Sequence, residues 1–139
     1  MDYKIVADSS CDLNEELQKK LNISLIPFNI SVDDEEFIDN ENLDTKELIK
    51  AMKNSPNPVK TSCPSPGDFL EKFKQAKDIF AITISANLSG TYNSAKLTRQ
   101  MALDEDPDKF IHVFDSKSAS IGETLVALKI DELVKEKLS

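Results

Sequence analysis

Residues 78–95 constrain the fold more than any other stretch, because they combine an apolar run, a polar loop and a helix start. Residues 78–84 are almost continuously apolar, which is typical of a central strand in a parallel sheet covered on both faces. A loop of small hydroxyl residues around Gly90 follows, and a helical pattern begins at that glycine. The unpaired N–H groups and the dipole of a helix N-terminus favour a negative charge. The stretch therefore predicts a strand, a loop and a helix that together can bind an anion.

Strands and helices alternate through the rest of the chain. Asp12, Asp44 and Ser65 are candidate helix N-caps, since each stands at the start of a helical pattern. This order predicts one domain, residues 1–139, with a Rossmann-like three-layer α/β/α fold and a mostly parallel sheet. The predicted strands are residues 3–7, 23–32, 59–64, 78–84 and 110–114, and the predicted helices are residues 14–21, 44–53, 65–76, 90–103 and 119–138.

Residues 33–42 form an acidic segment between two of these elements. The segment carries several carboxylates but lacks the glycine that an EF-hand calcium loop requires. We therefore expect a solvated loop without a bound metal. Pro27 has no N–H group, so we expect the strand at residues 23–32 to be irregular or to lie at a sheet edge.

Composition disfavours several classes of protein. The 139 residues include 25 acidic and 17 basic side chains, with a net charge of −8, and an acidic surface disfavours nucleic acids and anionic membranes. No apolar run approaches the roughly 20 residues that span a bilayer. No signal peptide is evident, so we expect a cytoplasmic protein. Cys11 and Cys63 do not form a C-x-x-C pair, so we expect two free thiols and no structural zinc.

Hydroxyl side chains recur between the end of a predicted strand and the start of the next helix. In an open parallel sheet such loops lie at one edge, beyond the carboxyl ends of the strands, where ligands bind. Lys60 and Lys117 are the only cations nearby, so this edge would bind an anion mainly through neutral donors. The alternative is that the hydroxyls only cap helices. The loops contain Ser9 and Ser10, Thr61 and Ser62, residues 85–91, and Asp115, Ser116 and Ser118.

The sequence gives less support for catalysis. A serine nucleophile needs a base within hydrogen-bond reach, and His112, the only histidine, lies within a predicted strand. The G-x-S-x-G elbow, the phosphate loop and the dinucleotide fingerprint are absent. We therefore predict a binding site with no catalytic residue. Two alternatives stay open: a phosphoryl- or acyl-transfer domain with Ser89 or Ser94 as nucleophile, and an interaction module that uses residues 33–42.

Four motifs follow one another along nearly the whole chain. They are Asp-Ser-Ser-Cys-Asp-Leu at residues 8–13, Thr-Ser-Cys-Pro-Ser-Pro-Gly-Asp-Phe at 61–69, Leu-Ser-Gly-Thr-Tyr-Asn-Ser-Ala at 88–95 and Asp-Ser-Lys-Ser-Ala-Ser at 115–120. Together they resemble the motifs of the DegV family of bacterial fatty-acid-binding proteins. The resemblance implies a carrier that holds a long-chain fatty acid in a tunnel between two domains. It also implies presentation of the carboxylate to a partner fatty-acid kinase, which makes an acyl phosphate for phospholipid synthesis.

The resemblance also assigns roles to individual residues. It implies that Thr61 and Ser89 hydrogen-bond the carboxylate of the fatty acid, with the backbone of Gly90 beside them. The fatty acid is then the bound ligand, and we expect neither a cofactor nor a metal. The residues expected to support the site are Ser9, Ser10, Ser62, Ser85, Gly90, Thr91, Ser94 and Ser116.

The chain departs from the family pattern in three respects. Cys63 stands where the family usually has Gln, and Ala86 stands where it often has Ser. Family proteins are also roughly twice as long, so the resemblance implies an N-terminal domain without the second domain, which supplies an Arg, a His and much of the tunnel wall. Apolar surface left by an absent domain favours self-association, so a homodimer is an expected state.

Overall fold

The structure is a computed structural model that describes residues 3–40 and 42–136. Glu41 of the predicted acidic loop, and Lys137 and Leu138 of the predicted last helix, lie outside the described residues. The elements in chain order are β1 (Tyr3–Asp8), α1 (Glu15–Lys20), β2 (Ile23–Ile26), β3 (Asn29–Val32), β4 (Glu35–Ile38), α2 (Thr45–Asn54), β5 (Lys60–Ser62), α3 (Pro66–Phe73), β6 (Asp78–Thr83), α4 (Thr91–Glu105), β7 (Phe110–Asp115) and α5 (Ile121–Glu136).

Four strands form a parallel sheet in the order β2-β1-β6-β7. Ile5 of β1 pairs with Ile23 on one side and with Phe80 on the other, and Ile82 of β6 pairs with Phe114 of β7. The direction of winding reverses between β1 and β6, because β2 lies on one side of β1 while β6 and β7 lie on the other. Such a switch point opens a crevice at the carboxyl ends of the strands, where ligands bind.

Helices cover both faces of this sheet. On one face, α3 and α4 bury Phe69, Phe73 and Ala95 against Val6 and Ala81. A fully buried side chain as large as phenylalanine contributes about 1.5–3 kcal/mol. On the opposite face, α5 and the end of α1 complete a second core of Ile5, Ala7, Cys11, Leu21, Ile23, Ile82, Ala127, Ile130 and Val134. Because helices cover both faces of the sheet, the predicted three-layer α/β/α fold is confirmed.

Two of the three predicted helix caps are present. The side chain of Asp44 accepts hydrogen bonds at the start of α2, and Ser65 forms a capping box with Asp68 at the start of α3. The prediction for Asp12 is wrong, because Asn14 caps α1 by accepting a hydrogen bond from the N–H group of Leu17 at 2.8 Å.

A second sheet is antiparallel, has the order β4-β3-β5, and includes residues that we expected in a loop. Residues 35–38 of the acidic segment form β4 and pair with β3. Asp33 turns the chain with a φ of 53°, a left-handed conformation that aspartate tolerates. Glu35 and Glu36 stay exposed on this edge strand, so hydrogen-bonded pairing of the backbone is compatible with the acidic sequence.

The predicted strand at residues 23–32 is divided between the two sheets. β2 ends at Ile26 and β3 begins at Asn29, and Pro27, which cannot donate a ladder hydrogen bond, lies between them. β5 pairs with β3, with Thr61 opposite Ile30. The segment that contains Thr61 therefore belongs to the antiparallel sheet, contrary to our expectation. All three side chains of β5 are exposed, so this strand has no apolar face to bury in the central sheet.

Candidate ligand-binding site

Three of the four predicted hydroxyl loops meet at the carboxyl edge of the parallel sheet. The N–H group of Ser85, after β6, donates to the carbonyl oxygen of Ser118, after β7, at 2.8 Å. Cys11, after β1, forms an isolated parallel bridge with Ser120 at the start of α5. The loops that follow β1, β6 and β7 therefore lie side by side at the switch point.

The N-terminus of α4 lies at the end of the loop after β6, and the residue at its N-cap position makes no side-chain hydrogen bond to it. Gly90 is at the N-cap position, and the first turn of this 15-residue helix contains no acidic residue. The Oγ atom of Ser89 accepts from the N–H group of Thr91 at 3.3 Å and lies 2.8 Å from Thr91 Oγ1. Ser89 is half-buried, Gly90 is exposed and Thr91 is buried. An uncapped helix N-terminus beside a partly exposed hydroxyl is favourable for an anion.

The segment after β5 approaches this N-terminus, although β5 does not belong to the parallel sheet. The Sγ atom of Cys63 lies 3.9 Å from the position that a Cβ atom would take on Gly90. Thr61 and Ser62, which directly precede Cys63 in the chain, are exposed. The structure thus brings the chain next to Thr61 close to the Ser89–Gly90 loop, and a shared role for Thr61 and Ser89 stays a prediction.

The remaining hydroxyls after β6 and β7 stabilise local turns. Ser85 Oγ accepts from the N–H group of Asn87 at 3.3 Å, and Ser116 Oγ accepts from that of Ser118 at 3.2 Å. Ser116 Oγ also donates to the carbonyl oxygen of Ser118 at 3.1 Å. Ser94 lies half-buried in the first turn of α4. Because Ser85 and Ser116 make these contacts, their contribution to the site is to hold the loops in place.

Ser9 and Ser10 face carboxylates of the protein itself. The hydroxyl of Ser9 donates to Asp39 Oδ2 at 2.7 Å and accepts from the N–H group of Phe28 at 2.9 Å. The hydroxyl of Ser10 lies 2.6 Å from Asp8 Oδ1 and also contacts Glu123 Oε1. Each hydroxyl has one proton, so neither offers a free donor to an anionic ligand in this arrangement.

Two buried acids, Asp8 and Glu123, contact Ser10 and were not predicted from the sequence as site residues. Both are fully buried, although Glu123 lies near the N-terminus of α5 and Asp8 ends β1. Burial, followed by the nearby charge of Asp8, raises the pKa of Glu123 to about 9. An acidic residue at the end of an apolar strand was the only available signal for Asp8, and no local pattern predicted the burial of Glu123.

A cleft of about 520 Å³ lies beside the loop that follows β1. The acidic side chains that line it are Asp12, Glu15 and Asp39. Carboxylates repel an anion, so this cleft is unsuited to the head group of a fatty acid. The uncapped N-terminus of α4 is therefore the better place for a negative charge.

Apolar side chains are exposed on the elements that form this edge of the sheet. Leu88, in the loop after β6, is 67% exposed, and Ile121 and Leu125 on α5 are 57% and 61% exposed. Contact with an acyl chain or with another apolar surface would remove these side chains from water.

His112 is poorly placed to act as a base at this edge. It lies three residues before the end of β7, about 10 Å along the strand. Its ring packs edge-on against Phe114 with the ring centroids 4.4 Å apart. Its position on the strand gives no support to a Ser89 or Ser94 nucleophile.

Neither a metal site nor a membrane-spanning helix is present among the residues that the structure describes. Within residues 3–40 and 42–136, no group of three or more His, Cys, Asp or Glu side chains is arranged to hold a metal ion. No helix in the part of the chain that the structure describes is long and apolar enough to span a bilayer.

Comparison with known proteins shows the family. The family model described as "Uncharacterised protein, DegV family" matches residues 2–139. A DegV domain-containing protein from Streptococcus pneumoniae is 38% identical over 100% of this chain and 50% of its own length. The chain thus spans about half the length of the curated relatives it matches.

Two solved structures share both the fold and the sequence pattern. A DegV family protein from Ruminococcus gnavus, refined with vaccenic acid, has a TM-score of 0.92 and 37% identity, and the match covers 99% of this chain and 50% of that one. The Fatty Acid Kinase (Fak) B3 protein of Streptococcus pneumoniae, loaded with linoleic acid, has a TM-score of 0.88 and 38% identity, and the match covers 100% of this chain and 50% of that one. This chain belongs to the DegV family.

Proposed function

We propose that this chain is a fatty-acid-binding domain that holds a long-chain fatty acid by its carboxylate. It would present the fatty acid to a fatty-acid kinase for acyl-phosphate formation and phospholipid synthesis. The observation that carries the proposal is the match of the fold, over almost the whole chain, to relatives whose structures hold vaccenic and linoleic acid. The second of those relatives is a Fatty Acid Kinase B3 protein, which supports the kinase as partner.

The proposed carboxylate site is the uncapped N-terminus of α4 together with the segment beside it. Ser89 and the backbone at Gly90 would donate from the loop after β6, and Thr61 from the end of β5. The approach of Cys63 to Gly90 supports this grouping. A hydrogen bond to a charged group contributes about 1.5–3 kcal/mol, so two or three such donors can hold a carboxylate without a cation.

The acyl chain would supply most of the affinity. Each buried methylene contributes about 0.8 kcal/mol, so a long tail outweighs the contacts of the head group once it is enclosed. Leu88, Ile121 and Leu125 offer exposed apolar surface on the elements around the carboxyl edge. We infer that the carboxylate fixes the orientation of the ligand and that apolar contact retains it.

The proposal describes a carrier and not an enzyme, and it assigns the chemistry to the kinase. Free thiols at Cys11 and Cys63 are compatible with a reducing cytoplasm, where we place the protein. We further propose that the chain forms one domain of the carrier. Its exposed apolar side chains on α5 support contact with a second domain or with a second copy in a homodimer.

Native mass spectrometry of the 139-residue chain purified from bacteria tests the proposal. We expect a co-purified long-chain fatty acid, and we expect Thr61→Ala and Ser89→Ala each to lower the retained fraction about tenfold, since each removes one charge-assisted hydrogen bond. Thr45→Ala is the matched control, because Thr45 is an exposed threonine at the start of α2. His112→Ala should leave retention unchanged.

Two results would contradict the proposal. One is a wild-type chain that carries no fatty acid and gains no thermal stability when fatty acid is added, because a bound ligand must stabilise the folded state. The other is equal retention by Thr61→Ala, Ser89→Ala and Thr45→Ala, which would place the carboxylate elsewhere.

A further inference from the structure

A row of three side chains, two of them fully buried acids and one a half-buried serine, connects β1 to α5 below the carboxyl edge of the sheet. Asp8 and Glu123 are each 0% exposed. The Oγ atom of Ser10 lies between them, 2.6 Å from Asp8 Oδ1 and in contact with Glu123 Oε1. Ser10 thus joins two carboxyl groups that lie near opposite ends of the sequence.

The number of protons in this row determines its charge. A hydroxyl group has one proton, so Ser10 can donate to only one of the two carboxyl oxygens that it contacts. The other contact needs a second proton, because two facing oxygen atoms without a hydrogen repel each other. One of the two acids must therefore be neutral.

The hydrogen bonds of Asp8 identify it as the charged member. Asp8 Oδ2 accepts from the N–H group of Ile84 at 2.7 Å, and Asp8 Oδ1 also accepts from the N–H group of Ser10 at 3.2 Å. Backbone donors of this kind stabilise a carboxylate. Glu123 has no such support, and its Oε2 atom is buried without a hydrogen-bond partner. A neutral carboxyl leaves this oxygen uncharged, which lowers the cost of burying it.

The groups around Glu123 also favour its neutral form. Asp8 on β1 is the charge that acts on Glu123, and Cys11, on the loop that follows β1, is acted on by Glu123, Asp8 and Asp12 alike. Burial raises the pKa of Cys11 to about 12, so its thiol is neutral near pH 7. The two remaining groups are acids, and a second negative charge beside them is unfavourable.

We propose that Glu123 is a positioning residue that works as a neutral acid, donating its proton to Ser10, which donates to the Asp8 carboxylate. Asp8 in turn holds the N–H group of Ile84, the residue that begins the loop before Ser89 and Gly90. The row therefore fixes three parts of the carboxyl edge: the loop after β1, the loop after β6 and the first turn of α5. It also crosses the switch point between β1 and β6. The role in ligand binding rests on the proposed function, whereas the protonation and the loop contact do not.

Loss of this proton would place two negative charges around one hydroxyl group. Ser10 could then satisfy only one of them, and repulsion would separate α5 from β1. The hydrogen bond between Asp8 and Ile84 would weaken, and the loop that leads to α4 would lose its fixed position.

The test uses Glu123→Gln and Glu123→Ala in the complete 139-residue chain. The uncharged amide that Glu123→Gln introduces keeps a donor for Ser10 at every pH, whereas the alanine variant has none. Glu132→Gln is the matched control, since Glu132 is an exposed glutamate on the same helix. The first readout is the ¹³C chemical shift of the Glu123 carboxyl group, which we expect to titrate near pH 9 and not near 4.5.

The second readout is hydrogen exchange at the N–H group of Ile84, measured for all variants at one pH near 7. We expect exchange to be about tenfold faster in Glu123→Ala than in wild type, as for the loss of one hydrogen bond, and unchanged in Glu123→Gln and Glu132→Gln. The third readout is retention of added palmitate, which should fall between about pH 8 and pH 10 in wild type and in Glu132→Gln, but not in Glu123→Gln.

A Glu123 carboxyl that titrates near pH 4.5 would overturn the assignment of the proton. Equal Ile84 exchange in Glu123→Ala and Glu123→Gln would overturn the positioning role. If the first two readouts agree with expectation and no variant binds palmitate at any pH, the proposed function fails while the role of Glu123 in the loop contact stands. If wild type and Glu123→Gln lose palmitate equally as the pH rises, the link between Glu123 and the ligand is wrong.

Discussion

Gly122→Ala should destabilise the fold, because this glycine lies directly against the loop that follows β7. A Cβ atom on Gly122 would be 2.3 Å from Ser118 Cβ and 2.6 Å from Ser118 Oγ, whereas non-bonded carbon atoms rest about 3.5–4.0 Å apart. Rotation of the Ser118 side chain moves Oγ but not Cβ, so the backbone of Ser118 has to shift by about 1 Å. That backbone accepts the hydrogen bond from Ser85 at 2.8 Å.

The expected magnitude follows from three contributions. Overpacking costs about 1–3 kcal/mol, and weakening of the hydrogen bond between Ser85 and Ser118 costs about 0.5–1.5 kcal/mol. Alanine regains roughly 1 kcal/mol of helix propensity, since Gly122 lies within α5. The net loss is about 0.5–3.5 kcal/mol, which lowers the melting temperature of a chain of this size by roughly 2–12 °C.

Gly67→Ala provides the matched control. Gly67 lies in the first turn of α3, and the nearest atom to a new Cβ would be Ser65 Oγ at 3.7 Å, an ordinary contact. Neither glycine has a positive φ, and both lie in the first turn of a helix, so the two substitutions differ in the steric environment of the new Cβ atom. Gly67→Ala should therefore raise stability by up to about 1 kcal/mol.

Differential scanning calorimetry of both variants, with urea denaturation followed by circular dichroism, measures the two effects. Shifts of opposite sign are expected. A Gly122→Ala variant as stable as wild type, or two variants that shift in the same direction, would show that Ser118 moves freely and that the steric reasoning is wrong.

Two other predictions concern Glu123 and the cysteines. Stability should fall as pH rises from about 4.5 towards about 9, because Glu123 keeps its proton in the folded state while the unfolded chain loses it. Glu123 lowers the free energy of unfolding by at most about 1.4 kcal/mol per pH unit. Urea denaturation across this pH range should show a shallower decline for Glu123→Gln than for wild type. Equal declines would refute the assignment of the proton to Glu123. At about pH 8, iodoacetamide should add one label to the native chain, at Cys63. Cys11 should stay unlabelled, because it is 3% exposed and burial raises its pKa to about 12. Intact mass spectrometry should show two labels after unfolding. Fatty acid should slow the labelling of Cys63, which lies beside Gly90, and an unchanged rate would argue against a carboxylate at α4.

The parallel sheet could be predicted because its signals are local. The apolar run that became β6 lies in the middle of the sheet between two covered faces, and the hydroxyl loops mark where strands end and helices begin. The antiparallel sheet could not be predicted in the same way. Nothing within residues 33–42 indicates a strand partner, and β4 forms because β3 lies opposite it with free backbone groups. The choice of Asn14 over Asp12 as the cap of α1 similarly depends on where the helix docks, since both residues suit the position.

The roles of the serines at the site could not be predicted from local sequence either. A serine that holds a loop and a serine that faces a ligand have the same local sequence signature. Ser9 and Ser10 share the strand–loop–helix setting of Ser89, yet their hydroxyls contact acids that include Asp39 and Glu123. The two kinds of serine differ in whether a carboxylate of the protein faces the hydroxyl. Asp39 and Glu123 reach Ser9 and Ser10 only through the tertiary fold. Where such an acid is present, the hydroxyl stabilises the loop. At Ser89 the hydroxyl contacts Thr91 beside an uncapped helix N-terminus, so an external carboxylate can occupy the position that protein acids take at Ser9 and Ser10.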